Sequence, residues 1–266
     1  MSVPRVLVLQ HIACEPPGVY EDVLLGRGAS ISRVELDEGE SLPGLDGVDA
    51  IVAMGGPMSV NDEGQHPWLV AEKRLIANAV NAGTPFFGAC LGVQLLAASL
   101  GASVTAGGVP EVGVLPVFAT DAAGDDPVFS GLAWPRPTLQ WHSDTFELPE
   151  GATLLATSPA YPHQAFRVGE RAYGVQFHLE VTEEMADEWA RVPEYVVAAE
   201  RALGPGGLDR LLDEFRASAH EMRADARTLF SRWVDLWAPA TASEWRSPST
   251  SGREGTEAAA TTDADR

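Results

Sequence analysis

The cysteine at position 90 stands where an apolar run passes into an amphipathic one. Gly88 and Gly92 lie two residues to either side of it. Glycines at a sharp strand-to-helix turn let a nucleophile stand clear of the sheet, and the amino end of a helix favours the thiolate form of a cysteine. The spacing predicts a nucleophile at Cys90; the alternative is a buried thiol that packs as a small apolar side chain.

A histidine and a glutamate two positions apart, His178 and Glu180, close a β-rich run that begins at Tyr173. In an extended chain, side chains at i and i+2 point to the same face. Glu180 can therefore hold the imidazole in one tautomer while the other ring nitrogen faces a thiol. A cysteine protease or amidase needs this set of nucleophile, base and orienting carboxylate, brought together by the fold. The alternative is a strand-end histidine with an acid that is beside it by chance.

Five blocks of sequence point to one enzyme family. They are Gly55-Gly56-Pro57, Gly88-Ala89-Cys90-Leu91-Gly92-Val93-Gln94, Glu111-Val112-Gly113, Gln140-Trp141-His142-Ser143-Asp144-Thr145-Phe146 and Gly174-Val175-Gln176-Phe177-His178-Leu179-Glu180. On these blocks the chain resembles the class I, triad-type glutamine amidotransferases over residues 5 to about 185. Within that family it is similar to the stand-alone proteins that resemble the glutaminase domain of GMP synthetase. Leu179 departs from the family pattern, which usually has a proline there to fix φ before Glu180.

The resemblance implies an enzyme that hydrolyses the side-chain amide of glutamine through a γ-glutamyl thioester on Cys90. It implies that His178 draws the thiol proton and returns it to ammonia, while Glu180 orients the imidazole. It assigns the oxyanion hole to the backbone N–H groups of Gly56 and Leu91. The residues that it assigns to substrate binding are Gly55, Gln94, His142, Ser143, Asp144, Thr145 and Phe146.

Three alternatives share parts of this pattern. The same triad could hydrolyse γ-glutamyl peptides or conjugates, or the site could be the remains of an amidase that now serves as a ligand sensor. The pairs His142/Asp144 and His178/Glu180 could instead ligate a divalent metal in a metallohydrolase, although the Cys90 turn would then have no role. We expect neither a metal nor a cofactor. Since no phosphate-cradling glycine loop with lysine is present, transfer of the ammonia would need a separate synthetase subunit.

Composition and charge limit the classes of partner and the cellular compartment that we expect for this protein. The 266 residues carry 18 basic and 38 acidic side chains, a net charge of −20, which disfavours nucleic acid and anionic membranes as partners. No apolar run of about 18 or more residues is present, and the segment before Leu9 lacks the long apolar region of a signal peptide. The chain has two cysteines, Cys14 and Cys90, and so no disulfide framework. We expect a cytoplasmic protein in which Cys14 is not catalytic.

The elements that must position these residues follow from the apolar pattern. Apolar runs alternate with helical patterns, which predicts an α/β fold with an open, mostly parallel, flavodoxin-like sheet flanked by helices. The predicted strands are Val6–Gln10, Ile31–Leu36, Asp49–Met54 and Pro85–Phe87, with helices at Val19–Gly26 and Trp68–Asn81. Ligands collect beyond the carboxyl ends of such strands, and both the Gly55-Gly56 turn and the Cys90 turn follow strand ends.

From about Ser103 to Phe177 the pattern changes to short β-rich pieces. The pieces are Val112–Ala119, Thr138–Trp141, Thr153–Ser158, Gln164–Val168 and Ala172–Phe177, with a hairpin turn at Gly169-Glu170. They predict a small antiparallel section that delivers His178 and Glu180 to the nucleophile.

The chain is predicted to be helical from Thr182 to about Trp237. Thr182 is expected to cap the first of these helices, and apolar residues keep helical spacing from Leu208 to Trp237. We expect the long helix to pack on its own domain, with the interface of a homodimer as the alternative. The amidotransferase-like domain is thereby assigned to residues 1–238, including a helical extension from about 182, and residues 239–266 to a disordered polar tail.

Overall fold

The computed structural model describes residues 3–238, which form a sheet with helices on both faces. The strands are β1 (Arg5–Gln10), β2 (Ser30–Glu35), β3 (Ala50–Ala53), β4 (Phe86–Ala89), β5 (Val104–Ala119), β6 (Arg136–Phe146), β7 (Thr153–Thr157), β8 (Ala165–Val168) and β9 (Ala172–Val175). The helices are α1 (Val19–Gly26), α2 (Trp68–Asn81), α3 (Leu91–Ser99), α4 (Glu183–Trp189), α5 (Pro193–Leu203) and α6 (Gly207–Asp235), with a 3-10 turn at Asp121–Gly124. Within these residues the sheet order is β2-β1-β3-β4-β9-β8-β7-β5-β6.

The first five strands in this order are parallel. Strands β1, β3 and β4 are apolar and almost wholly buried, which is typical of parallel strands covered by helices on both faces. Alternate residues of β1 enter different cores: Val6 and Val8 face one, and Leu7 and Leu9 face the other. The carboxyl ends of β3, β4 and β9 lie side by side, so the segments that follow them meet at one edge of the sheet.

The remaining pairings, from β9 to β6, are antiparallel. The predicted α/β class is confirmed, and the antiparallel section continues the parallel sheet, so that the whole is mixed. Strand β5 begins at Val104, earlier than the predicted Val112, because it pairs with β6 on both sides of an irregularity between Ala106 and Glu111. The Gly107-Gly108-Val109-Pro110 segment at that bulge hides the strand from its sequence pattern.

Helix α6 packs on its own domain, as the favoured interpretation predicts. Phe230 is fully buried, with its ring stacked 4.4 Å from Tyr20 of α1 and edge-to-face 5.1 Å from Phe87 of β4. Trp233 packs in the same cluster, 5.5 Å from Phe87. The extension is therefore part of the core beneath the parallel strands, and a homodimer remains a prediction.

Phe230→Ala should lower the free energy of unfolding by about 3–5 kcal/mol, because the truncation leaves a cavity among rings that cannot all close in. Urea unfolding followed by tryptophan fluorescence measures it. Val197→Ala is the control, since Val197 lies on α5, is 63% exposed and should change stability little when truncated. Equal midpoints for the two variants would contradict the packing of α6.

The predicted disordered tail, residues 239–266, lies outside the described residues, so the domain boundary at residue 238 stays a prediction.

Within residues 3–238, none of the helices combines the length and the apolar character that crossing a bilayer requires.

Candidate active site

Cys90 occupies the turn between β4 and α3 with φ 51° and ψ −107°. No other non-glycine residue in the described part of the chain has a positive φ. Such a conformation is strained for an L residue and is held here by the surrounding structure. The Cys90 N–H donates to the Val175 carbonyl of β9 at 2.9 Å, which ties the turn to the strand that leads to His178.

Gly88 and Gly92 permit this turn by close packing. A Cβ on Gly92 would lie 2.1 Å from the carbonyl oxygen of Ala53, and one on Gly88 would lie 2.4 Å from the Gly92 carbonyl. Both contacts are to backbone, which cannot move aside as a flexible side chain would. The two glycines are thus required where the start of α3 crosses β3 and β4.

Gly92→Ala should force β3 and α3 apart, lower the free energy of unfolding by about 1–3 kcal/mol, and displace the thiol. Chemical unfolding and the rate of Cys90 alkylation by iodoacetamide measure the two effects. Gly26→Ala is the matched control, since a Cβ there has no neighbour within 4 Å and alanine suits a helix. An alkylation rate equal to wild type in Gly92→Ala would contradict the steric argument.

His178 and Glu180 follow β9 and are both buried, each with 1% of its side chain exposed. His178 Nδ1 is 2.7 Å from Glu180 Oε1, so the carboxylate engages this ring nitrogen and not Nε2. The Leu179 N–H donates to Glu180 Oε2 at 3.0 Å. A proline at this position has no N–H, so the leucine replaces a restraint on φ with a hydrogen bond that holds the carboxylate directly.

Cys90 and His178 both line one cavity, and each shifts the pKa of the other. Burial raises the pKa of Cys90, and the imidazole offsets this only in part. Burial alone would lower the pKa of His178, but Glu180 and Cys90 outweigh it and hold that pKa well above its ordinary value. At low pH the pair therefore keeps a neutral thiol beside an imidazolium, and it must lose a proton to become nucleophilic.

The Gly55-Gly56 turn follows β3 and lies beside the Cys90 turn. A Cβ on Gly55 would lie 1.9 Å from Glu15 Oε2, and one on Gly56 would lie 3.0 Å from His11 Cβ. The backbone N–H groups of Gly56 and Leu91 form no hydrogen bond to any residue between 3 and 238. Two unused donors thus lie close to the thiol.

A cavity of about 240 Å³ opens at Cys90. Several residues predicted for the site line it, namely Gly56, Cys90, Gln94, His142, Ser143, Asp144 and His178. Gly55, Leu91, Thr145 and Glu180 are not among the lining residues. Phe146 is also absent from the lining, since it is buried in the core with its ring 5.3 Å from Phe166.

Glu111 explains the third sequence block. Its carboxylate is buried and accepts hydrogen bonds from Ser158 at 2.7 Å and Gln164 at 2.7 Å, and its Oε2 is 3.0 Å from His142 Nε2. Burial opposes ionisation, but the hydrogen bonds from His142 and Ser158 outweigh it and lower the pKa of Glu111. His142 Nδ1 is 2.9 Å from the Asp144 carbonyl, so this network fixes the strand segment that forms one cavity wall.

Gln94 connects that wall to the thiol. Its Nε2 donates to Gln176 Oε1 at 3.0 Å, and Gln176 Nε2 lies 3.6 Å from Cys90 Sγ. On the wall itself, Ser59 Oγ donates to Asp144 Oδ2 at 2.7 Å. The amide and carboxylate groups of the cavity are thereby held in place before any ligand enters.

Helices α4 and α5 cover the cavity with residues that sequence reasoning missed. The Trp189 ring lies edge-to-face 4.9 Å from His178, and the Tyr195 hydroxyl donates to Glu15 Oε1. Glu15 Oε2 is buried without a partner among the described residues, and burial raises the pKa of this carboxyl. Glu15 lies in a proline-rich loop and Tyr195 beyond the family blocks, so neither carries a local signal.

Cys14, the other cysteine of the chain, lies outside the cavity lining. Burial, together with the charge of Glu15, raises the pKa of its thiol to about 12. It therefore stays protonated at neutral pH, in keeping with the expectation that it is not catalytic.

The metal-binding alternative gains no site in the described part of the chain. Between residues 3 and 238, no three His, Cys, Asp or Glu side chains come together in a group that could hold a metal ion. His142 is paired with Glu111, and His178 with Glu180.

Comparison with known proteins decides the family. Residues 21–189 match the family described as Glutamine amidotransferase class-I. The chain belongs to this family. The resemblance seen in the five sequence blocks is thereby confirmed, and with it the class of enzyme.

Individual relatives of this amidotransferase agree. A glutamine amidotransferase-like protein of Salmonella typhimurium is 35% identical over 187 residues, which are 69% of this chain and 78% of that protein. The glutamine-hydrolyzing GMP synthase of Streptomyces avermitilis is 37% identical over 134 residues, which are 50% of this chain and 24% of the synthase. The crystal structure of a glutamine amidotransferase from Thermotoga maritima superposes with a TM-score of 0.78 at 30% identity, covering 88% of this chain and 100% of that one.

Proposed function

We propose that this amidotransferase hydrolyses the side-chain amide of glutamine through a γ-glutamyl thioester on Cys90. The observation that carries the proposal is that one cavity is lined by a strained, glycine-bounded thiol and by a buried imidazole whose other face is held by a buried carboxylate. The family is consistent with glutamine hydrolysis.

In the first step His178 takes the proton of the Cys90 thiol, and the thiolate attacks the amide carbon of glutamine. The tetrahedral intermediate collapses as its C–N bond breaks, and His178 gives its proton to the departing ammonia. Glu180 stabilises the imidazolium that exists between these events. Water, deprotonated by His178, then attacks the thioester, and glutamate leaves as the thiol is restored.

The oxyanion of each tetrahedral intermediate is assigned to the N–H groups of Gly56 and Leu91. Their lack of any partner within the described residues supports this role, since backbone donors that no protein group occupies are available to an oxyanion. One such donor is worth about 10²–10³-fold in rate in a related type of hydrolase.

Glutamine itself would be held by the cavity residues Gln94, His142, Ser143 and Asp144. The cavity lining contains no lysine or arginine, and Asp144 supplies a carboxylate suited to the α-ammonium group of the substrate. Contacts from Gly55, Thr145 and Phe146 stay predictions, because these residues do not line the cavity.

Ammonia is proposed to pass to a synthetase subunit. The support is the likeness to a glutamine-hydrolyzing GMP synthase, of whose length this chain spans 24%. Because its two cysteines are unpaired, we place the enzyme in the reducing cytoplasm.

The decisive experiment incubates the purified full chain with L-glutamine and, separately, with γ-glutamyl peptides that carry the same acyl group. Release of ammonia and glutamate from glutamine, together with one γ-glutamyl group on Cys90 in acid-quenched samples by mass spectrometry, is the expected result. Turnover of the peptides without glutamine turnover would move the assignment to a γ-glutamyl hydrolase. The absence of both turnover and the Cys90 adduct would overturn the proposal.

A further inference from the structure

His11 is a buried histidine that the proposed reaction leaves unused. It follows β1, is 0% exposed, and stacks on Trp68 of α2 at 5.6 Å. Its Nδ1 lies 3.2 Å from the carbonyl oxygen of Gly55, and its Nε2 lies 2.8 Å from Glu72 Oε1. His11 does not line the cavity, so any effect that it has on the reaction must pass through the groups that it contacts.

The group that it holds is one peptide unit. The carbonyl of Gly55 and the N–H of Gly56 belong to the same peptide bond, which is not among the cis bonds of the described chain. In a planar trans peptide the C=O and the N–H point in opposite directions. A donor fixed on the Gly55 oxygen therefore sets the direction of the Gly56 N–H on the other side.

This peptide needs such a hold because both its residues are glycines. Without side chains the unit can rotate at little steric cost, and rotation would turn the Gly56 N–H away from the thiol. A hydrogen bond to the carbonyl oxygen also polarises the peptide and strengthens its N–H as a donor.

We propose that His11 is a positioning residue that clamps the Gly55-Gly56 peptide and so aims the Gly56 N–H at the oxyanion formed on acyl transfer to Cys90. The inference rests on the proposed function for its oxyanion hole. Glu72, itself 0% exposed, holds the ring in place from α2.

The charge state of His11 suits a double donor. Burial lowers the pKa of His11, but the charge and hydrogen bond of Glu72 outweigh it, with smaller contributions from Gly55 and Glu15, so that the pKa is raised. An imidazolium donates from Nε2 to Glu72 and from Nδ1 to the Gly55 carbonyl at the same time.

Two substitutions separate the two ring nitrogens. His11→Asn places an amide N–H near the position of Nδ1 and keeps a donor for Gly55, whereas His11→Gln places one near Nε2 and keeps a donor for Glu72. We expect His11→Gln to lower kcat for glutamine on the order of 10²-fold with KM little changed, and His11→Asn to stay within about 10-fold of wild type.

Two probes of Cys90 distinguish positioning from a general structural role. Alkylation by iodoacetamide displaces iodide at a methylene carbon and forms no oxyanion, so its rate should be the same in wild type and both variants. Hydrolysis of 4-nitrophenyl acetate passes through an oxyanion and should fall in His11→Gln alone. A parallel loss of alkylation, or equal ester hydrolysis in the two variants, would overturn the proposal.

The ester assay also keeps this inference separate from the proposed function. If wild type hydrolyses the ester through Cys90 but releases no ammonia from glutamine, the glutamine assignment fails while the split between His11→Asn and His11→Gln still decides the role of His11. If His11→Gln does not fold, Glu72→Ala takes its place: freeing the ring should lower ester hydrolysis, while Glu72→Gln should retain it. Full ester hydrolysis by Glu72→Ala would contradict the clamp.

Discussion

Replacing Cys90 by alanine should reduce amide hydrolysis on the order of 10⁶-fold, because the proposed thioester forms on the Cys90 sulfur. Ammonia release from the substrate that wild type turns over, followed over hours at high enzyme concentration, measures the loss. The variant should remain folded, since alanine preserves the positive φ of the turn and removes one buried sulfur. Its unfolding midpoint should therefore lie close to that of wild type.

Cys14→Ala is the matched control for Cys90→Ala. Cys14 is the other cysteine of the chain, it is buried, and burial and the neighbouring Glu15 raise its pKa to about 12. Turnover and iodoacetamide labelling should both survive this substitution. Persistent turnover in Cys90→Ala, or loss of turnover in Cys14→Ala, would remove Cys90 from the mechanism.

Replacing Glu180 by glutamine should lower kcat by up to about 10⁴-fold, the loss seen when the orienting carboxylate of a Ser-His-Asp triad becomes an amide. Size and shape are kept, but the charge that stabilises the imidazolium of His178 is gone. Since Glu180 is the main influence that raises the pKa of His178, that pKa should fall in the variant.

The pH dependence of kcat/KM shows in which direction the pKa of His178 moves in Glu180→Gln. Wild type must lose a proton from the Cys90 and His178 pair before it can react, so kcat/KM should rise with pH through an apparent pKa above the ordinary histidine value. In Glu180→Gln the rising limb should move to lower pH, although the plateau is lower. Glu183→Gln, which removes an exposed carboxylate from α4, should leave the limb where it is. An unmoved limb in Glu180→Gln would show that another group titrates.

Local pattern was enough for the elements whose residues interact mostly with their neighbours. The boundaries of α1 and α2 agree with the predicted helices, and the Thr182 hydroxyl accepts the Met185 N–H as a helix cap should. The Cys90 turn was readable for the same reason, since its glycines lie within a few residues of the thiol. The antiparallel strand β5 was underestimated, because its first residues are held by pairing with β6 across a bulge.

The sequence by itself determined the α/β class, the glycine-bounded turn at Cys90 and the proposed base and carboxylate, since each depends on spacing within a short segment. Only the tertiary structure decided what surrounds them. His11 pairs with Glu72, which is 61 residues away in sequence, and Glu15 pairs with Tyr195, which is 180 residues away. The role of a buried polar group depends on its hydrogen-bond partner, and partners so far apart in sequence produce no periodic pattern. That is why the cover that α4 and α5 form over the cavity, and the contact of His11 with the Gly55-Gly56 peptide, could be seen only in the folded structure.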